Sequence, residues 1–302
     1  MDLKSKIILI SGPTASGKSD FAVKFAKKIN GEIINADSMQ IYKQLKILSA
    51  RPNPKSYQKI KHHLYGFHDV KKNFSTGDWL KLVIKKINEI RKRKKVPIIV
   101  GGTGLYFKAL TDGLVNIPNI PSKFRNQIRS LQLKIGNKKF YQELLKIDPT
   151  SRDKINPTDS QRLIRAYEVK KFTKKSIHVW FKNTKLNFEK NNFFKIYIDF
   201  DRKELIERIN LRTHEMLKAG AINEVNNFIK LKIRKDKTAH KAIGLNEIKA
   251  YLSKEKNLDE IKEKISIKTR QYAKRQSTWA RGNMINWIKL QPKDINKFLK
   301  KI

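Results

Sequence analysis

The most informative segment of the sequence spans residues 7–19 and reads IILISGPTASGKS. Its first four residues form a short apolar run, mostly β-branched, which is typical of a buried parallel strand. Apolar residues then recur at helical spacing from Phe21 to Ile29, and residues 32–35 read as a second strand. The segment therefore predicts a βαβ unit whose strand–helix turn contains the pattern G-x-x-x-x-G-K-S.

This turn has the composition of a phosphate-binding loop. Its glycines allow successive backbone N–H groups to point inward, the helix start adds partial positive charge, and Lys18 adds a full charge. The Ser19 hydroxyl can coordinate Mg²⁺. The predicted phosphate- or diphosphate-binding residues are Gly12, Pro13, Thr14, Ala15, Ser16, Gly17, Lys18 and Ser19. ATP, GTP, a nucleoside monophosphate or a diphosphate ester would suit the loop equally, so the motif leaves its ligand open.

Two further segments, residues 96–100 and 194–200, also predict buried strands, and helical periods connect all of these strands. We therefore expect an α/β fold: a P-loop NTPase-like, mostly parallel sheet flanked by helices. Residues 117–190 show helical spacing and no convincing strand. The expected organisation is a first part of the core at 1–116, a helical insertion domain at 117–190, and the rest of the core at 191–302, helical almost throughout after Asp201.

The charge of the chain points to a polyanionic partner. Its 302 residues contain 68 Lys and Arg against 27 Asp and Glu, which gives a net charge of +41. The electrostatic field of such a charge attracts nucleic acid. A genomic bias towards Lys, Asn and Ile would explain part of the excess of basic residues. The absence of cysteine excludes disulfides and thiolate metal sites. No apolar run approaches the roughly 20 residues of a membrane span, so we expect a cytoplasmic protein. We also expect a monomer.

Several polar segments follow the predicted strands at the sheet edge where ligands bind in open α/β folds. Asp37 follows the second strand within Asp-Ser-Met-Gln, and it could bind Mg²⁺, accept a proton or cap the next helix. The glycines of residues 101–106, GGTGLY, suggest a backbone that approaches a ligand closely. Arg212 follows the last predicted strand and could extend to the phosphate loop.

Basic residues elsewhere are candidates for RNA contacts. Arg162 and Arg165 lie on one face of a helix in the insertion, where they would suit phosphates or base edges, or simply a solvated face. Arg270 and Lys274 belong to a basic stretch that includes Tyr272. The pair His62-His63 has no carboxylate or cysteine partner at ligand spacing, which favours a structural role.

Taken together, these motifs resemble those of the tRNA dimethylallyltransferases, also called tRNA isopentenyltransferases. The resemblance spans nearly the whole chain and rests on Gly12 to Ser19, Asp37 to Gln40, His62-His63-Leu64, Gly101 to Tyr106, Gln161-Arg162 with Arg165, and residues 269–281. Two stretches depart from the usual pattern, at residues 49–52 (SARP) and 65–67 (YGF). Neither departure alters the motifs of the expected centre.

The resemblance implies transfer of a dimethylallyl group from its diphosphate to N6 of the adenosine immediately 3′ of a tRNA anticodon. It implies Asp37 as general base, Thr103 beside the bridging oxygen, and Lys18, Arg212 and Ser19 with Mg²⁺ at the diphosphate. The implied partners are dimethylallyl diphosphate and the tRNA anticodon stem-loop. The expected tRNA-binding residues are Asp37, Ser38, Met39, Gln40, Thr103, Arg125, Gln161, Arg162, Leu163, Ile164, Arg165, Arg270 and Lys274.

Two other functions are compatible with a phosphate loop in a basic protein. A nucleotide or small-metabolite kinase would bind ATP at the loop and use the helical insertion as a lid. A non-catalytic RNA-binding NTPase would use the loop as a conformational switch. Both alternatives predict ATP consumption, whereas the prenyl transfer does not.

Overall fold

A computed structural model describes residues 3–302 and contains a six-stranded sheet of order β3-β2-β4-β1-β5-β6. Its strands are β1 Ile7–Ser11, β2 Gly31–Asn35, β3 His62–His63, β4 Val96–Gly101, β5 Phe193–Ile198 and β6 Ile288–Leu290. Every strand pair of this sheet is parallel. The predicted α/β class, with a parallel sheet flanked by helices, is confirmed.

The central position of β1 explains its apolar sequence. It pairs with β4 on one side, Ile8 opposite Ile98, and with β5 on the other, Ile8 opposite Phe194. A strand with neighbours on both edges and layers on both faces has no solvated side, so all five of its residues are buried. The two strands that the sequence analysis missed, β3 and β6, are the edge strands.

Eleven α-helices lie within residues 3–302. Their bounds are α1 Lys18–Ile29, α2 Thr76–Lys92, α3 Gly104–Thr111, α4 Ser122–Ile147, α5 Ser160–Thr173, α6 Ile177–Lys182, α7 Arg202–Lys218, α8 Ala221–Lys230, α9 Leu245–Leu252, α10 Leu258–Asn283 and α11 Ile295–Lys300. Helix α4 is interrupted at Gly136, whose φ of 72° is left-handed. No helix in this part of the chain is both long and apolar enough to cross a membrane.

The chain divides into two compact units. One contains the sheet and is formed by residues up to 111 together with 188–302, and the other is formed by residues 112–187. The sheet unit has one core between the strands and α1, and another in which residues 41–48 pack with α8, α9 and α10. The second unit contains α4, α5 and α6 around its own apolar core, which includes Phe140 and Leu163.

The expectation that the chain is helical almost throughout after Asp201 is wrong at its end. Residues 288–290 form β6, which pairs with β5 through Ile196 opposite Ile288. Ile288 and Lys289 are exposed, as an edge strand allows. A three-residue strand with an exposed face has no apolar period from which it could be predicted.

Candidate active site

The phosphate loop connects β1 to α1 and has the tight backbone that its glycines predict. Gly17 has a φ of 78°, which is left-handed and favours glycine. A Cβ added to Gly12 would lie 2.9 Å from Ser16 Oγ and 3.0 Å from the Ile198 carbonyl oxygen. The loop therefore packs directly on the end of β5, and glycine at position 12 is required by this close approach.

Two arginines of α7 contact the phosphate loop. Arg212 Nη2 donates to Thr14 Oγ1 at 2.6 Å, and Arg208 Nε donates to the Ala15 carbonyl oxygen at 2.8 Å. This contact confirms the predicted extension of Arg212 to the loop. It arises because β5 ends at the same sheet edge as β1 and is followed by α7. The contact of Arg208 with the loop is not among those that the sequence predicts.

Lys18 lies against the same loop, where its Nζ donates to the Pro13 carbonyl oxygen at 3.1 Å. Burial lowers the pKa of the Lys18 ammonium to about 8; the negative charge of Asp37 acts in the opposite direction, and Arg212 lowers the pKa further. Burial also lowers the pKa of Arg212. Two poorly hydrated cations beside the phosphate loop form a site that a bound anion would stabilise.

Gln276 of α10 joins the phosphate loop to the loop that follows β4. Its Oε1 accepts from the Thr14 N–H at 2.8 Å, and its Nε2 donates to the Gly102 carbonyl oxygen at 2.9 Å. One amide thus fixes the separation of two loops from different strands. Gln276 lies within the motif of residues 269–281, and its contacts join parts of the chain too distant for a local pattern to predict.

The interpretation of the glycines at 101–104 as sites of ligand approach is wrong. A Cβ on Gly101 would lie 2.1 Å from the Ala36 carbonyl oxygen, and one on Gly102 would lie 2.1 Å from Gln276 Nε2. A Cβ on Gly104 would meet the Trp279 ring at 2.3 Å. The glycines are needed because other parts of the protein occupy this space, which local sequence could not reveal.

Asp37 lies two residues beyond the end of β2 and stabilises the turn that follows. Its Oδ1 accepts from the Met39 N–H at 2.8 Å and from the Gln40 N–H at 3.3 Å. Asp37 thus accepts backbone hydrogen bonds as a capping residue does, but the segment it caps is a turn and not a helix. Both hydrogen bonds that the described chain donates to this carboxylate end on Oδ1, so Oδ2 is available for a further proton or ligand.

Asn35 and Trp79, which the sequence analysis did not single out, hold this turn in place. The Asn35 side chain accepts from the Asp37 N–H at 2.9 Å and donates to the Asp37 and Leu64 carbonyl oxygens, each at 3.0 Å. The buried Trp79 indole donates to the Asn35 carbonyl oxygen at 2.9 Å. These bonds fix the backbone on both sides of the carboxylate.

Thr103 lies beside Asp37 in the loop after β4. Its Oγ1 accepts from the Ser38 N–H at 3.0 Å and donates to Ser38 Oγ at 3.4 Å. Burial raises the pKa values of Tyr106 and Tyr272, and the negative charge of Asp37 raises them further. Both phenols therefore stay protonated near the carboxylate.

A cavity of about 380 Å³ has both Asp37 and Arg212 in its lining. Its polar lining includes Thr14, Asp37, Arg212 and Tyr272, and its apolar lining includes Leu48, Met216 and Ile265. Arg270 and Lys274 lie on the other side of α10, where they line a second cavity of about 720 Å³ with residues of β5 and α7. The two sets of α10 residues therefore face different spaces.

No group of three or more His, Cys, Asp or Glu side chains suited to a metal ion exists within residues 3–302. His62 and His63 form β3, and His63 Nε2 lies 2.7 Å from Oε2 of the buried Glu32. Glu32 also pairs with Arg93, at 2.6 Å. The structural role predicted for the two histidines agrees with this ion-pair network.

The helical unit contains the other predicted RNA-binding residues. Arg125 and Arg165 are both half-buried and lie 3.6 Å from Oε2 of Glu168. Gln161 and Arg162 are exposed, and Arg162 pairs with Asp159 at 3.4 Å. Leu163 is completely buried in the core of this unit, so the expectation that its side chain contacts RNA is wrong.

Comparisons with known proteins identify the family. The model of the IPP transferase family matches residues 40–283. The tRNA dimethylallyltransferase of Pelagibacter ubique (strain HTCC1062) is 60% identical over 302 residues, which cover 100% of this chain and 96% of the relative. The tRNA dimethylallyltransferase of Rickettsia massiliae (strain Mtu5) is 45% identical over 290 residues, or 95% of this chain and 80% of the relative.

Solved structures agree with the sequence comparisons. The tRNA isopentenylpyrophosphate transferase of Bacillus halodurans superposes with a TM-score of 0.70 at 32% identity, covering 98% of this chain and 95% of that structure. A eukaryotic dimethylallyltransferase described as acting on tRNA gives a TM-score of 0.82 at 27% identity, covering 95% and 73%. The chain belongs to the IPP transferase family, as its motifs predict.

Proposed function

We propose that this chain transfers a dimethylallyl group from dimethylallyl diphosphate to N6 of the adenosine immediately 3′ of the anticodon (tRNA position 37), in tRNAs that read codons beginning with U. The products are N6-isopentenyladenosine and diphosphate. Relatives support this reaction, because the Pelagibacter ubique protein at 60% identity is named for it. The eukaryotic structural neighbour is described as acting on tRNA.

The main structural support is that a carboxylate and a cationic anion site line one cavity. Asp37, Thr14 and Arg212 all face the 380 Å³ space. Transfer of a carbon group from a diphosphate to an amine needs a proton acceptor near the amine and positive charge near the departing anion. This single cavity provides both groups.

The reaction breaks the bond between C1 of the allyl group and the bridging oxygen, and it forms a bond between that carbon and N6. The bonding electron pair leaves with the diphosphate, whose developing charge Lys18, Arg212 and the loop N–H groups would stabilise. Asp37 would accept the N6 proton at Oδ2, since the hydrogen bonds from Met39 and Gln40 both end on Oδ1. The amine is a poor nucleophile, so its orientation in the cavity also contributes.

Thr103 would lie beside the bridging oxygen in this scheme. Its hydroxyl is oriented by Ser38, through the backbone N–H at 3.0 Å and the side-chain Oγ at 3.4 Å. The adenine must leave the anticodon stack to enter the cavity, as in other enzymes that modify a base.

The site suits a Mg²⁺ ion that is coordinated by both protein and substrate oxygens. Ser19 is a partly buried residue in the first turn of α1, and residues 3–302 contain no group of three or more His, Cys, Asp or Glu side chains that could hold the ion without the substrate. Mg²⁺ commonly takes one or two protein oxygens and completes its shell with phosphate oxygens and water. When bound, the ion would neutralise part of the diphosphate charge.

We propose that tRNA contacts three regions. The first is the turn of Ser38, Met39 and Gln40, with Asp37 and Thr103 at the reacting base. The second is the helical unit, through Arg125, Gln161, Arg162, Ile164 and Arg165. The third is the side of α10 that lines the 720 Å³ cavity, through Arg270 and Lys274. The net charge of +41 supports a polyanionic substrate.

Incubation with tRNA, Mg²⁺ and radiolabelled dimethylallyl diphosphate tests the proposal. We expect label to appear in the RNA, and to be absent from a control tRNA with guanosine in place of the target adenosine. Label that stays in the free diphosphate while ATP is consumed would contradict the proposal and indicate a kinase or an NTPase.

A further inference from the structure

Glu168 is a buried carboxylate surrounded by arginines in the helical unit. Its side chain is 2% exposed, and its Oε2 lies 3.6 Å from Arg125 Nε and 3.6 Å from Arg165 Nη1. Arg129 adds a further nearby positive charge. Burial raises the pKa of Glu168, and the arginines act in the opposite direction. A carboxylate is rarely buried this deeply unless cationic neighbours pair with it.

The hydrogen bonding of this group is incomplete. Glu168 Oε1 and Arg125 Nε are both buried without a hydrogen-bond partner in the described chain. Unpaired buried polar atoms cost free energy, and a partly satisfied network stabilises a core less than apolar packing would. Stability alone therefore explains the arrangement poorly.

The arginines are open to solvent although the carboxylate is not. The Arg125 and Arg165 side chains are 42% and 41% exposed. Arg125 comes from α4 and Arg165 from α5, so without a shared anion between them the two guanidinium groups would repel each other. With Glu168 between them the three groups carry a net charge of +1, which one phosphodiester would neutralise.

We propose that Glu168 is a positioning residue that holds Arg125 and Arg165 together as a pair for one phosphodiester of an RNA backbone. The carboxylate itself does not contact the RNA. It keeps the two half-exposed guanidinium groups at one place, so that less side-chain entropy is lost when a phosphate binds. This inference rests on the proposed function, because the RNA in question is the tRNA substrate.

The substitution Glu168→Gln separates positioning from simple charge. It adds one positive charge to the surface that would face RNA, so a long-range electrostatic effect alone would strengthen tRNA binding. A positioning role predicts the opposite sign, with the tRNA Kd raised by about three- to tenfold and the salt slope reduced by about one. Glu143→Gln is the matched control, because Glu143 is a half-exposed partner of Lys146 in the same unit.

Binding is measured by fluorescence anisotropy over a range of salt concentrations, with thermal unfolding of each variant in parallel. Transfer assays should show a raised KM for tRNA with kcat unchanged, since Glu168 does not touch the reacting atoms. Glu168→Asp keeps the charge but shortens the side chain by one methylene, which moves the carboxylate away from the arginines. We therefore expect it to lose less tRNA affinity than Glu168→Gln. This variant tests the inference even if Glu168→Gln does not fold.

Unchanged or tighter tRNA binding by a folded Glu168→Gln protein would overturn the inference, as would a Glu168→Asp protein with wild-type affinity. In either case, transfer by the wild-type protein would leave the proposed function intact. A wild-type protein that neither binds nor modifies tRNA would contradict both.

Discussion

Replacing Gln276 by leucine tests whether the contact between two loops holds the phosphate loop in its active geometry. The side-chain amide accepts from the Thr14 N–H at 2.8 Å and donates to the Gly102 carbonyl oxygen at 2.9 Å. Leucine is similar in size and removes both bonds. Each bond contributes about 1 kcal/mol net and a group left unpaired costs more, so we expect the free energy of unfolding to fall by about 2–4 kcal/mol.

The functional effect should exceed this loss of stability. Thr14 is also the residue that accepts from Arg212, at 2.6 Å, so displacement of the loop would move both the N–H groups and the arginine. Displacements of about 1 Å cost roughly a hundredfold in rate when orientation matters, and we expect kcat/KM to fall by about ten- to a hundredfold. The Kd for dimethylallyl diphosphate should rise in parallel.

Gln271→Leu is the matched control, because it makes the same change at an exposed position of the same helix, α10. Gln276→Glu should be intermediate in stability, since it keeps an acceptor for Thr14 and loses the donor to Gly102. Urea denaturation gives the stability, and calorimetric titration gives the diphosphate affinity. A folded Gln276→Leu protein with diphosphate affinity and transfer rate within about twofold of wild type would refute this reasoning.

Two further predictions concern ionisable groups. Burial lowers the pKa of free Lys18 to about 8, and a bound diphosphate would raise this pKa again. Diphosphate affinity should therefore fall by up to about tenfold per pH unit above pH 8. Calorimetric titration of wild type and Lys18→Met tests this prediction, and an equal pH dependence of affinity in both proteins would contradict it. Burial would raise the pKa of Glu32, but hydrogen bonds from Arg93 and His63 lower it overall, so its stabilisation is present at neutral pH and lost as pH falls through the folded-state pKa. Glu32→Gln should lower the free energy of unfolding by about 2 kcal/mol at pH 7 and weaken its acid dependence, and urea denaturation that shows neither change would count against this role.

Long apolar runs and the phosphate loop made much of the sheet predictable from sequence. Strands β1, β2 and β4 are continuous buried runs of five or six residues, and β5 is buried except at Phe194 and Lys195; each is close to its predicted position. The contact of Arg212 with the loop also followed from topology, because parallel strands end at the same edge of a sheet. Strands β3 and β6, of two and three residues, are too short to show a period.

The remaining features depend on contacts between distant parts of the chain. Gln276 bonds to Gly102 across 174 positions, and the glycines near Gly102 are required by Ala36, Gln276 and Trp279 rather than by a ligand. Leu163 follows two polar residues in QRLIR, yet it is completely buried in the core. Local composition cannot distinguish a glycine or a leucine needed for packing from one needed for binding.

Single-turnover transfer by Asp37→Asn decides whether this carboxylate accepts the N6 proton. Asparagine keeps an oxygen for the Met39 and Gln40 N–H groups and removes the base, so the turn should persist while the transfer rate at saturating tRNA falls at least about a hundredfold. Asp236→Asn, at an exposed ion pair with Arg234, is the control for charge. We predict that Asp37→Asn binds tRNA and diphosphate with near wild-type affinity and transfers almost no label. A transfer rate equal to that of wild type would contradict the assignment of Asp37 as the base.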